Sequence, residues 1–339
     1  MNQIKNFKGY GSMKTLNSPG ESNNIFRNSY GHLRAGWRIS IYLLIFIPSL
    51  LPGIGVLKLV GWLFNLSGGN DLTSPINILF MIVVASGLAI AAYITLQWID
   101  KRPYELLGMN FSLSTIKEFM NGFAIGACNL VIVVVVLSVL GFLKISWNGI
   151  DFIIGQSIFV YGLVFIGGAS IEELANRGYI FQALCEGTRA WIALFVTSLI
   201  FSVVHLFNQH MSVASILFLF VHGILYAVAY LKSRSLWTAI GVHWAWNWMQ
   251  GPVCGVPVSG SVISNSLFKA QPQGPDVFSG GQFGVEGSIL ASLLSLGIVV
   301  FVWRTKWLAP TEKMAALWDQ YPGSIRLGRI KTVNFYRKE

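Results

Sequence analysis

Long apolar stretches, separated by short polar or glycine-containing segments, recur along the whole chain. Eight lie near residues 38–62, 75–98, 119–143, 152–175, 190–208, 212–231, 235–250 and 286–305. Crossing a bilayer core about 30 Å thick takes roughly 20 apolar residues, and in lipid only helices and closed barrels satisfy their own backbone groups. The runs therefore predict transmembrane helices. The fourth is expected to continue as helix beyond Arg177 toward Gly187. The seventh is short and carries polar side chains, so it needs protein rather than lipid around it. Alternating ten-residue segments, the mark of a membrane barrel, do not occur. The expected fold is all-α, a polytopic membrane protein with about eight transmembrane helices.

Composition sharpens this. Of 339 residues, 54 % are hydrophobic and 11 % charged, against roughly 25 % charged in a soluble domain, and mean hydropathy is +0.60. A soluble enzyme and a disordered chain are both excluded. The net charge of +10 orients the chain instead of pointing to nucleic acid: 21 of the 24 Lys and Arg fall on one side of the predicted membrane, including Lys5, Lys8 and Lys14 in the amino tail and Arg326, Arg329, Lys331, Arg337 and Lys338 in the carboxyl tail. Only Lys58, Lys144 and Lys269 fall toward the other. By the positive-inside rule both termini are expected in the cytoplasm. The organisation expected is a flexible tail over 1–36, not a cleaved signal peptide, then a helical core over 37–308 and a basic tail over 309–339. Residues 251–285 form a Gly-, Pro- and Ser-rich outer loop longer than a connector requires. Cys128, Cys185 and Cys254 have neither disulfide-framework nor zinc spacing.

The acids locate the chemistry. Eleven of the 14, Asp100 and Glu286 among them, read as solvated in tails, loops or helix ends, and Glu186 sits near the inner turn after the fourth run. Glu172 and Glu173 remain, adjacent in an otherwise apolar helix. A carboxylate at mid-membrane costs about 2.5–3.5 kcal/mol even on the lenient insertion scale, and two side by side repel. Glu173 and Arg177 are four apart, which predicts an ion pair on one helical face. Glu172 points about 100° away, with no cation at helical spacing, and reads as the functional carboxylate. Among the histidines, His32 and His210 read as bystanders and His222 as an interhelical hydrogen-bonding group. His205 lies one turn after Phe201, and His243 shares a helical face with Asn247. If the chain turns near Gly187, Glu172 and His205 differ in height by about 4–5 Å at 1.5 Å per residue, and His243 falls in the same outer layer.

Three segments now carry a family resemblance. Glu172-Glu173-Leu174-Ala175-Asn176-Arg177 resembles the EExxxR motif of the CAAX-protease and bacteriocin-processing (CPBP, or ABI) family of intramembrane proteases; Phe201 to His205 resembles its FxxxH motif and His243 to Asn247 its HxxxN motif. Leu231 to Trp237 is similar to the family's connector, and Gly280 to Gly287 to a segment found in prokaryotic members. Asn176 stands where members often carry an aromatic residue, and an amide there is within reach of the Glu172 carboxylate. The resemblance implies a multi-pass protease of the cell membrane, prokaryotic in type, that uses glutamate without an obligatory metal or cofactor. Peptide hydrolysis needs an activated water, a stabilised oxyanion and a proton for the leaving amine. Glu172 is assigned as base and then acid, His205 as a second holder of the water, and His243 and Asn247 as oxyanion donors. Glu173 and Arg177 support the helix and orient Glu172. Ser170 and Ser202 lack a base partner. The substrate expected is a membrane-associated protein or peptide, with the bilayer as the other partner and no nucleic acid.

Two alternatives stand beside this. Glu172, His205 and His243 could hold zinc, as two histidines and a glutamate do in some hydrolases, although the HExxH spacing is absent. Alternatively the polar cluster is a packing network in a non-catalytic immunity or signalling scaffold.

Overall fold

The computed structural model describes residues 25–28, 33–66 and 71–320. The tail cations named above and His32 lie outside these residues. The described chain is mostly helical, and each apolar run falls on helix. In order these are α1 (Ala35–Ser49), α2 (Leu51–Phe64), α3 (Pro75–Ile94, continued by a π-helical turn over Thr95–Asp100), α4 (Leu113–Val139), α5 (Phe152–Arg177), α6 (Tyr179–Gly187), α7 (Ala190–Val204), α8 (Val213–Ser233) and α9 (Leu236–Trp248). The short α10 (Asp276–Ser279), α11 (Ile289–Arg304) and α12 (Glu312–Gln320) follow. Among the described residues, five helical stretches are long and apolar enough to cross a membrane: 35–64, 75–100, 113–139, 152–187 and 213–233. α7 and α11 are apolar but shorter.

Helix starts follow from the sequence. Asp151 accepts the backbone N–H of Ile154 at 2.8 Å, Ser212 that of Ser215 at 3.1 Å and Ser74 that of Asn77 at 3.3 Å. Each side chain satisfies a donor that the first helical turn leaves open. The fourth run continues past Arg177 as expected, but with a break at Gly178, where a side chain would meet the Leu174 carbonyl at 2.2 Å.

α9 is the structural centre. It packs against α4, α5 and α8, and all but two of the residues from Leu236 to Trp246 are buried. Its approach to α4 is backbone against backbone: a Cβ on Gly122 would stand 2.1 Å from the Thr238 carbonyl oxygen, and one on Gly126 would stand 2.2 Å from that of Val242. Small residues permit this contact, which is how helices gain packing energy when lipid surrounds them. On the α5 side, the indole N–H groups of Trp244 and Trp248 donate to the carbonyls of Gly162 and Ile158, each at 2.9 Å. Trp246 is buried against Phe218 and His222. An antiparallel strand pair, β1 (Leu143–Trp147) with β2 (Phe268–Pro272), ties residues 251–285 to the end of α4, in a register running from Leu143↔Pro272 to Trp147↔Phe268.

Asp100 and Glu286, both expected in solvent, are inside the protein, and so is Glu186. Asp100 and Glu186 have side chains only 5 % exposed, and both pair with Arg38. Glu186 also takes both guanidinium nitrogens of Arg102, at 2.7 and 2.9 Å, and the Tyr179 hydroxyl donates to Asp100 at 2.9 Å. This network ties α1 to the end of α3 and to α6. Position in the chain suggested solvation for Asp100; the cations that neutralise these acids come from segments 62 to 148 residues away. Glu286, the third, is 3 % exposed and accepts the Ser259 N–H at 2.5 Å and hydroxyl at 2.9 Å.

Removing one member of a buried ion pair strands the other charge, at about 3–5 kcal/mol. Arg38→Ala is therefore expected to lower the thermal unfolding midpoint in detergent markedly. A midpoint equal to wild type would contradict a buried network.

Candidate active site

The site is assembled from α5, the end of α7, α8 and α9. Glu172 and Glu173 are consecutive on α5, so their side chains diverge by about 100° and enter different surroundings. Glu173 has no exposure. Its Oε1 accepts from the Arg177 guanidinium one turn along, at 3.2 Å, and from Nδ1 of His243 on α9, at 3.0 Å. Arg177, also without exposure, donates onward to the Gly223 carbonyl on α8 at 2.7 Å and lies over the rings of Phe201 and Tyr226, at 5.0 and 5.4 Å. The expected ion pair is present, and it extends to two further helices.

Glu172 is 34 % exposed and its Oε2 meets two imidazoles: Nε2 of His205 at 3.7 Å and Nε2 of His243 at 3.9 Å. Both distances exceed a direct hydrogen bond. The tautomers follow from the far side of each ring. His205 ends α7, and its Nδ1 lies 2.7 Å from the Phe201 carbonyl oxygen. A carbonyl only accepts, so Nδ1 carries the proton, and the Glu173 carboxylate imposes the same on His243. In its neutral form His205 Nε2 then turns a lone pair toward Glu172, whereas His243 Nε2 presents a lone pair in the neutral ring and an N–H in the doubly protonated one. Asn247, half-buried, follows His243 by one turn on the same face of α9.

The other candidates are engaged elsewhere. Asn176 donates to the backbone carbonyl of Glu172 at 2.9 Å, not to its carboxylate as its position suggested. The hydroxyls of Ser170 and Ser202 donate to the carbonyls of Ile166 and Ile216, at 2.7 and 2.8 Å. His222 bridges helices: its ring nitrogens lie 3.1 Å from the Tyr226 hydroxyl on α8, 3.1 Å from Ser295 on α11 and 3.3 Å from Asn129 on α4. Exposed His210 lines a separate cleft of about 800 Å³ with Asp276 and Phe283, and neither Glu172, His205 nor His243 borders it. Among the described residues, no group of three or more His, Cys, Asp or Glu side chains meets the geometry of a metal site. The three cysteines are free thiols.

Sequence reasoning missed three partners. The bond between Glu173 and His243 spans 70 residues, beyond any helical spacing. Tyr226 stacks on His243, and its one signal was its position one turn after His222. Glu286 lay in a glycine-rich segment that looked exposed.

Residues 154–249 match the family model described as type II CAAX prenyl endopeptidase, Rce1-like. The matched span includes Glu172, Glu173, Arg177, His205, His243 and Asn247. No curated protein and no solved structure matches the chain. The matched family falls within the CPBP family that the motifs resemble, and the match supports a membrane protease.

Replacing Glu173 with Gln leaves Arg177 buried without its counter-charge. Thermal unfolding of Glu173→Gln in detergent should show a loss of about 3–5 kcal/mol. A stability equal to wild type would mean that Glu173 does not carry the charge that Arg177 and His243 require.

Proposed function

We propose that the chain is an intramembrane endopeptidase in which Glu172 activates water to cleave a membrane-associated protein or peptide. The observation that carries this reading is the convergence of two imidazole Nε2 atoms on one glutamate oxygen, at 3.7 and 3.9 Å. One water about 2.8 Å from each partner fits separations of this size. In the neutral tautomer, His205 Nε2 accepts one water proton and the Glu172 carboxylate accepts the other. As the water oxygen attacks the scissile carbonyl, Glu172 takes that proton, and the carbonyl oxygen becomes the oxyanion. His243 in its doubly protonated form donates to the oxyanion through Nε2, with Glu173 as counter-charge, and Asn247 donates beside it. The tetrahedral intermediate collapses, the carbon–nitrogen bond breaks, and Glu172 returns its proton to the leaving amine. Glu172 keeps a partly exposed side chain whose Oε2 is buried and has no hydrogen-bond partner among the described residues, and this supports the division, since Glu173 is fully enclosed. The remaining expectations, cytoplasmic termini and residence in a prokaryotic cell membrane, belong to the same proposal.

Membranes carrying wild-type protein and Glu172→Gln, compared by mass spectrometry of peptide termini, should show new carboxyl ends only with wild type. Prenylated and unprenylated proteins ending in CAAX are the first substrates to inspect. A quenched peptide built on the cleaved site should then be turned over by wild type and not by Glu172→Gln, His205→Ala or His243→Ala. Asn247→Ala should lose about 10²–10³-fold in kcat, the usual cost of one oxyanion donor. Full cleavage by Glu172→Gln would sink the mechanism, and loss of activity on chelation, with bound metal in the purified protein, would favour the zinc alternative. A cellular phenotype retained by all four variants would favour the scaffold.

A further inference from the structure

A hydrogen bond at one edge does not hold an imidazole in a plane. Glu173 secures His243 through Nδ1 alone, and the ring could still rock about that contact and carry Nε2 away from Glu172. Two aromatic rings oppose this. Tyr226 on α8 lies parallel to His243, with centroids 4.6 Å apart and planes 11° apart, and Phe201 on α7 meets it edge-on at 5.7 Å. The same two rings receive the Arg177 guanidinium, so they form one wall behind the Glu173–Arg177–His243 group.

Tyr226 is itself anchored. It is 2 % exposed, and its hydroxyl lies 3.1 Å from Nδ1 of His222. The proton directions can be assigned from the far end. Asn129 Nδ2 can only donate, and it reaches His222 Nε2 at 3.3 Å and Ser295 Oγ at 3.1 Å, while Ser295 returns its proton to Asn129 Oδ1 at 3.2 Å. Nε2 of His222 therefore accepts, Nδ1 carries the proton, and the Tyr226 oxygen accepts it. His222 is in turn stacked on Phe218 at 4.0 Å. An uncharged network over α4, α8 and α11 thus ends in the ring that backs His243.

We propose that Tyr226, anchored by His222, Asn129 and Ser295, is a positioning residue that holds the His243 ring so that its Nε2 faces Glu172. This rests on the glutamate-protease reading for its consequence in catalysis, but the positioning itself can be observed without turnover. Displacing a reacting group by about 1 Å can cost about 10²-fold in rate.

With the full-length protein in nanodiscs and the quenched peptide described above, Tyr226→Leu should lower kcat by about 10²-fold with little change in KM, while Tyr226→Phe, which keeps the ring, retains most of the activity. Tyr226→Met, which fills similar space without a ring face, repeats the test should the Leu variant fail to fold. In parallel, NMR of histidine-labelled protein, with His243 assigned from the spectrum of His243→Gln, should show its ring protons shielded by the stacked phenol in wild type and Tyr226→Phe. The shielding should vanish in Tyr226→Leu and Tyr226→Met. Wild-type kcat in the ringless variants, a loss confined to KM, or unchanged His243 shifts would each overturn the proposal. Failure of the protease reading is a different result: Glu172→Gln retains activity while the NMR shifts still respond to residue 226.

Discussion

A carboxylate with no exposure can persist only where positive or hydrogen-donating groups replace the water it has lost. Glu173 meets that requirement with two partners on one oxygen, Arg177 from its own helix and His243 from α9. Arg177, equally buried, extends the constraint to α8 through the Gly223 carbonyl. Three helices are therefore held in register around a single charge. The approach of His243 to Glu172 depends on this, because His243 faces Glu172 while its other edge is on Glu173. Pulling any one of these helices away would leave a charge unpaired in the protein interior, which is far costlier than the loss of an apolar contact.

Two adjacent acids on one helix are sent into different surroundings by helix geometry. The 100° step per residue sends Glu173 into the packed interior and leaves Glu172 on a partly open face. The glycine contacts between α4 and α9, and the tryptophan bonds from α9 to α5, set the depth at which His243 stands. His205 reaches the same point because α7 stops there: its ring caps the last turn of its own helix through the Phe201 carbonyl. The site is thus built from helix ends and helix contacts, and none of its named groups lies on the long loop over 251–285.

Much of this could be read from residues. Apolar run length predicted the helices, since bilayer thickness acts on every span alike. The four-residue spacing of Glu173 and Arg177 predicted their pairing, and the surplus of Glu172 marked it as the carboxylate to explain. The contacts that escaped were those between distant segments. Asp100 and Glu286 were read as solvated and Glu186 only as lying near a turn, yet Arg38, Arg102 and the Ser259 turn enclose them. Asn176 was expected to bond the Glu172 carboxylate, but its amide satisfies the carbonyl one helical turn back. Tyr226 carries no charge and sits in an apolar helix, so its role emerges only from the ring beside it. A single sequence reports periodicity well and pairing between helices poorly.

The central claim, that Glu172 and His205 act on one and the same water, is tested most directly by a double-mutant cycle in kcat/KM. Groups that work as a unit lose nearly everything when either is removed, so their effects do not add. Glu172→Gln, His205→Gln and the double variant should therefore share one residual rate. A double variant slower than each single one by the full product of the two losses would contradict a shared water and dissolve the site into independent groups.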